Sequence, residues 1–415
     1  MDSSIQINGP VGLNMTSYAG KKYIFFNDFH VDYGRIDTGK SGKECNSCVN
    51  RENCSDLENL LVNIFSEADE NNKGVELYTE NSFVKIERTG YPVQRTGGRS
   101  YLGNILEFFK DCFTKSDCKF KNTLFQYSDI RSGREEGNFI DYLYYNFTWH
   151  LKYQRYGFEV ILENEFRKAV NEVSKGKYVN NDILKTLIDK LFFQKIDGEN
   201  VAYNLYKLYL TSDDVINDIN NLFDKVDLDK KYLEKYVFPK PLIVNRDDKI
   251  VHRIRSQFLA LEKEGKYALS KKIINYILFK YKNYNFNIFS RLKDIINSLE
   301  IYNEKILKSK AKQNKFDKYI DALDKNVGKF ISELTDNKVF IMDSYTLPRL
   351  FREFIIPGTN IKTDKKIVFA GNFHTRNYID FFEKELGTKF KKYNESVKKE
   401  KCVHISVDDY FWMIN

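Results

Sequence analysis

Short apolar runs set among polar stretches open and close this chain, and a helical periodicity fills its middle. From Lys22 to Asn27 (KYIFFN), aromatic and β-branched residues stand together in a run too short for a helix, which predicts a buried strand. Asp56 to Glu70 repeats Leu57, Leu60, Leu61, Ile64 and Phe65 at helical spacing, with Ser55 or Asp56 as the expected cap. Val75 to Glu80 (VELYTE) alternates and predicts a second strand. Tyr101 to Phe113 then predicts a helix, and Leu124 to Ile130 (LFQYSDI) a third strand.

That order of strand, helix, strand, helix, strand is the signature of a parallel sheet with right-handed crossovers. Between about Asn138 and Leu334 apolar residues recur every three to four positions, as at Ile183, Leu184, Leu187, Ile188, Leu191 and Phe192. This stretch is expected to be helical, interrupted at Pro239 and Pro241. A further helix is expected from Tyr345 towards Phe354, ended by Pro357 and Gly358. Lys366 to Gly371 (KIVFAG) reads as another buried strand, Asn377 to Leu386 as a helix with Gly387 as its C-cap, and Val403 to Val407 as a last strand. The expected fold class is therefore α/β, a mostly parallel β-sheet flanked by helices, with a large all-helical insertion. The expected division is residues 1–137 and 336–415 for the two halves of the α/β core, and 138–335 for the insertion.

Composition narrows the function classes. The 415 residues are 42% hydrophobic and 15% aromatic, enough to fill a core. Lys, Asn, Ile, Tyr and Phe are abundant and Pro is scarce, the bias of an AT-rich genome. The net charge of +8 arises from 66 basic and 58 acidic residues interspersed along the chain. A nucleic-acid binder would concentrate its basic residues on one face, so this balance and the many Tyr and Phe argue only weakly for such a partner. The one basic run, Lys305 to Lys315, reads as a solvated helix face. No basic segment followed by an apolar one opens the sequence, and no window of ~18 apolar residues occurs, so a cytoplasmic chain with no membrane partner is expected.

In a reducing compartment the six cysteines are expected as thiols. Cys45, Cys48 and Cys54 form C-x2-C-x5-C, a spacing that suits three thiolates on a structural zinc, with Cys112 or Cys118 as a fourth ligand; the alternative is reduced thiols in a loop.

The candidate chemistry lies at the strand ends, because the carboxyl edge of a parallel sheet carries the loops and helix N-termini. The strands end in Asn27-Asp28-Phe29-His30, Glu80-Asn81, Ser128-Asp129-Ile130-Arg131 and Gly371-Asn372-Phe373-His374. The chain has only five histidines, and two of them stand at equivalent strand ends. His30, His374 and Glu80 or Asp28 make the ligand set of a hydrolytic divalent-metal site with Mn, Co or Zn. Without a metal, one histidine would serve as general base and the other would hold the substrate's oxygen. Arg131 suits an oxyanion, and Asp129 would orient a histidine or that arginine, or simply cap a turn. The alternative for both histidines is a satisfied buried imidazole or a helix cap.

The paired motif, with a Glu after an intervening strand and an Arg further on, resembles the TraB/Tiki/ChaN/erythromycin-esterase-like superfamily. Gly371, Asn372, Phe373 and His374 complete its G-x-x-H, whereas Asn27 stands where the first copy has glycine. The chain also resembles proteins of large DNA viruses of the mimivirus kind. The resemblance covers about residues 20 to 135 and 340 to 410. It implies a hydrolase of peptidase or esterase type acting on a small-molecule or peptide substrate, in the host cytoplasm or the virion. It equally admits a virion or virus-factory structural or interaction protein that kept the fold with a degenerate site.

Overall fold

The computed structural model describes residues 4–28, 53–82, 101–114, 117–130, 158–189, 193, 195–211, 249–307, 313–336, 339–393 and 402–415. Two short strands absent from the sequence reading come first, β1 (Ser4–Asn8) and β2 (Gly12–Tyr18), followed by the expected β3 (Lys21–Asp28). After β4 (Cys54–Asp56), helix α1 (Leu57–Glu70) buries Leu57, Leu60, Leu61, Ile64, Phe65 and Ala68, the face that its spacing predicted. Asp56 occupies the N-cap position but does not cap; its carboxylate accepts from Asn8 Nδ2 at 3.1 Å instead. Strand β5 (Gly74–Ser82) leads to α2 (Tyr101–Phe108), α3 (Lys110–Thr114) and β6 (Thr123–Asp129).

The middle of the chain carries α4 (Phe158–Ser174), α5 (Asp182–Ile188), the strands β7 (Lys195–Ile196) and β8 (Glu199–Asn200), and α6 (Val201–Thr211). Helices α7 (Lys249–Lys263), α8 (Tyr267–Ile301), α9 (Gln313–Asp336) and α10 (Val339–Leu350) follow. The chain returns through β9 (Thr363–Gly371), α11 (Asn372–Leu386), β10 (Lys391–Tyr393), β11 (Cys402–Ser406) and α12 (Val407–Ile414). Gly387 ends α11 in the left-handed region at φ 67°, as its place in the sequence predicted.

The fold is mixed α/β, and its main sheet is mixed as well, in the order β10-β2-β3-β9-β5-β6. Pairings β3–β9, β5–β9 and β5–β6 are parallel, whereas β2 and β10 add an antiparallel edge. The expectation of a mostly parallel sheet thus describes only the four strands from β3 to β6. The antiparallel edge escaped the sequence reading because GLNMTSY and KKY carry few of the bulky apolar residues that mark a central strand. A second sheet, β11-β1-β4, joins the two ends of the chain.

One face of the main sheet (Leu13, Ile24, Phe26, Val75, Leu77, Ile367, Phe369) forms a core with α1, α2, α3 and the terminal strands. The opposite face packs Tyr23 and Phe25 against Phe382 of α11, with ring centroids 4.8 and 5.8 Å apart. The chain divides into two compact units, residues 1–132, 260–273 and 345–415, and residues 133–259 and 274–344. The second is not all-helical, since β7 and β8 form a hairpin whose turn, Asp197 and Gly198, has positive φ at both positions. Pro239 and Pro241 lie outside the described residues. Among those described, no helix is long and apolar enough to cross a membrane.

Two cysteine expectations are corrected. Cys112 is bonded to Cys118, and Cys54 and Cys402 are each disulfide-bonded, so these four are not thiols. Cys54 consequently has no thiolate to give a zinc ion; Cys45 and Cys48 lie outside the described residues.

Candidate functional site

Because β3, β9, β5 and β6 run parallel, their carboxyl ends share one edge of the sheet, and Asp28 pairs in register with Gly371 there. Strand β9 passes into α11 without a loop: Gly371 is the N-cap residue and His374 lies in the first turn. The helix was expected to begin at Asn377; its earlier start is what folds His374 back over the sheet edge.

His374 Nε2 stands 3.3 Å from Glu80 Oε1, and both side chains are buried, at 3% and 7% exposure. The other carboxylate oxygen, Oε2, accepts the Gly371 backbone N–H at 2.7 Å. Glu80 therefore bridges the imidazole and the N-terminal end of α11. The β5–β6 register shifts between Thr79 and Ser82, an irregularity that spans Glu80 and is of the kind that re-aims a side chain at a sheet edge. The Tyr378 ring stacks on His374 at 6.4 Å.

Asn27 is fully buried, and its Nδ2 donates to Asn372 Oδ1 at 3.1 Å, linking β3 to the first residue of α11. Gly12 lies against that amide, where a Cβ would come within 3.2 Å of Nδ2. Asn27 is thus a strut fixing the turn that carries His374.

The other predicted residues divide. Strand alternation sends Asp28 and Asp129 to the face opposite Glu80, and the residue of β6 on the Glu80 face is Ser128. His30 and Arg131 lie outside the described residues. An N···O separation of 3.3 Å suits a hydrogen bond, and it is close to the ~3.4 Å between two ligands of a tetrahedral ion with bonds near ~2.1 Å. Among the described residues no group of three His, Cys, Asp or Glu could hold a metal, so two ligands of the expected set stand together and the third, His30, is not among those described.

A second polar cluster on the same face was missed. Glu76, two pleats before Glu80, is fully buried and paired with the equally buried Lys366 at 2.7 Å. Tyr78 and Thr363 donate their hydroxyls to the same carboxylate. Lys366 also donates to the Arg352 carbonyl at 3.1 Å. Burial pushes the Lys366 ammonium down to about 8 against the opposing pull of Glu76. Burial, and then Glu76, push the Tyr78 hydroxyl well above its ordinary range. Beside them Arg349 donates to Gln126, the Tyr127 carbonyl and the Tyr345 hydroxyl. The available signal was the alternation Glu76, Tyr78, Glu80, together with a lysine inside an apolar strand. Arg349 sits on a helix and left no comparable trace.

No protein-family model matches the chain, and neither a curated protein nor a solved structure is significantly similar to it.

Proposed function

We propose that the chain is a hydrolase of peptidase or esterase type, working at the carboxyl edge of its parallel strands. The observation that carries this reading is the buried His374–Glu80 pair, 3.3 Å apart beside a helix N-terminus. An imidazole braced by a carboxylate is a general base: His374 takes a proton from water, and Glu80 orients the ring and stabilises the imidazolium that forms. His30 is proposed as the second imidazole and Arg131 as the donor to the developing oxyanion. A divalent ion (Mn, Co or Zn) held by His30, His374 and Glu80 would supply a water acidified towards neutral pH.

The test is turnover of p-nitrophenyl esters and a fluorogenic peptide by the whole chain, before and after chelation and on return of Mn, Co or Zn. His374→Ala and Glu80→Gln are each expected to lower turnover about a hundredfold or more. Wild-type turnover in His374→Ala, with no metal bound, would end this reading.

A further inference from the structure

Two buried cations, Lys366 and Arg349, lie by the sheet face that carries Glu76 and Glu80. Lys366 takes Glu76, Glu80 is engaged by His374 and the Gly371 N–H, and Glu353 is paired with Lys21 at 3.1 Å and Lys266 at 3.2 Å. Arg349 is 7% exposed, and among the described residues no carboxylate pairs with it. The groups its guanidinium touches are neutral: an amide oxygen, a backbone carbonyl, a hydroxyl, and the rings of Tyr345, Tyr78 and Phe354, with centroids 4.6, 5.6 and 5.8 Å from its guanidinium carbon. Its Nε is buried with no hydrogen-bond partner. These neighbours solvate a guanidinium but leave its charge uncompensated, and an isolated buried cation is strongly disfavoured.

A second orphan lies alongside. Gln126, which accepts from Arg349, is followed one pleat later on the same face by Ser128, 1% exposed, whose Oγ also has no partner. One pleat is about 7 Å along the strand, and Ser128 is the β6 residue opposite the irregularity that spans Glu80. The unpaired cation and the unpaired hydroxyl therefore lie on the same stretch of sheet as His374 and Glu80.

We propose that Arg349, with Ser128 next to it, receives an oxyanion, a carboxylate or phosphate, belonging to the molecule this site takes. A guanidinium fork matches either group, and the serine hydroxyl donates to a further oxygen. That the anionic molecule is also the substrate rests on the hydrolase reading; the anion receptor itself does not. An arriving anion supplies the negative charge that the described residues do not give Arg349.

Calorimetric titration of inorganic phosphate, and separately of acetate, into the whole chain at constant ionic strength tests this. Saturable binding is expected, weakened about tenfold or more in Arg349→Gln and severalfold in Ser128→Ala, and retained in Glu80→Gln. Arg349→Lys, which keeps the charge without the fork and guards against misfolding of the neutral variant, is expected to bind with intermediate strength. Preference for acetate assigns a carboxylate, and preference for phosphate a phosphoryl group. No saturable binding, equal binding in Arg349→Gln, or loss confined to Glu80→Gln overturns the proposal. Phosphate binding that persists while ester turnover is indifferent to His374→Ala and Glu80→Gln fails the hydrolase reading alone; turnover lost in those variants with no anion bound fails this inference alone.

Discussion

Lys365 and Lys366 are adjacent in sequence and buried on opposite faces of one strand. Lys365 donates to the carbonyls of Met413 and Ile414 at 2.7 and 2.6 Å, and burial lowers its ammonium to about 8, as it does for Lys366. A lysine released from the fold titrates near ~10.4. Between about pH 8 and that value the unfolded chain binds more protons than the folded one, so these lysines make stability rise with pH, by roughly 1 kcal/mol per unit each. Above about pH 10 the sign reverses, because burial raises the hydroxyls of Tyr23 and Tyr78 and the folded state resists their ionisation. Urea midpoints should climb from about pH 7.5 to about 9.5 and fall beyond it, and Lys365→Met should remove its share of the climb; a flat profile in the parent chain refutes this account. The residue-scale lesson from the sequence is uneven. His374 and Glu80 stood out because each follows an apolar strand, whereas Arg349 and Lys366 acquired their meaning only through the neighbours that surround them.

Elements are set by where strands may approach. Gly74 opens β5, and a Cβ there would lie 2.6 Å from the Lys362 carbonyl oxygen and 2.8 Å from Thr363 Cα, the backbone leading into β9. Gly74→Ala must separate two central strands and is expected to destabilise by about 1–3 kcal/mol. Gly103, on α2 with open space around its Cβ position, is the contrast: Gly103→Ala should stabilise by about 0.5–1 kcal/mol. Urea unfolding of both variants decides it, and equal effects would show that the strand contact is unimportant. At this scale the sequence was readable wherever an element meets a wide apolar partner, as for α1, β3 and β9. It misled at the start of α11, where NFHTRN offers no apolar stripe and the helix begins because the strand runs directly into it.

The whole molecule has two cores. In the second unit Tyr206 stacks on Tyr281 with centroids 3.9 Å apart and hydrogen-bonds Ser344 at 2.8 Å, while Asn303 holds both the N–H and the C=O of Val179. Scanning calorimetry should therefore resolve more than one transition. Tyr281→Ala should lower one of them and Gly74→Ala the other; a single two-state transition shifted by both would refute independent cores. By itself the sequence determined the apolar strands, the amphipathic α1, the left-handed Gly387 and the likeness between two strand ends, because these follow from spacing and local backbone preference within one segment. Tertiary structure alone decided the antiparallel edge, the disulfides, the pairing of His374 with Glu80 and the charge balance around Arg349. Each depends on which distant groups share a buried space, where a missing partner cannot be replaced by water, and no local pattern encodes that.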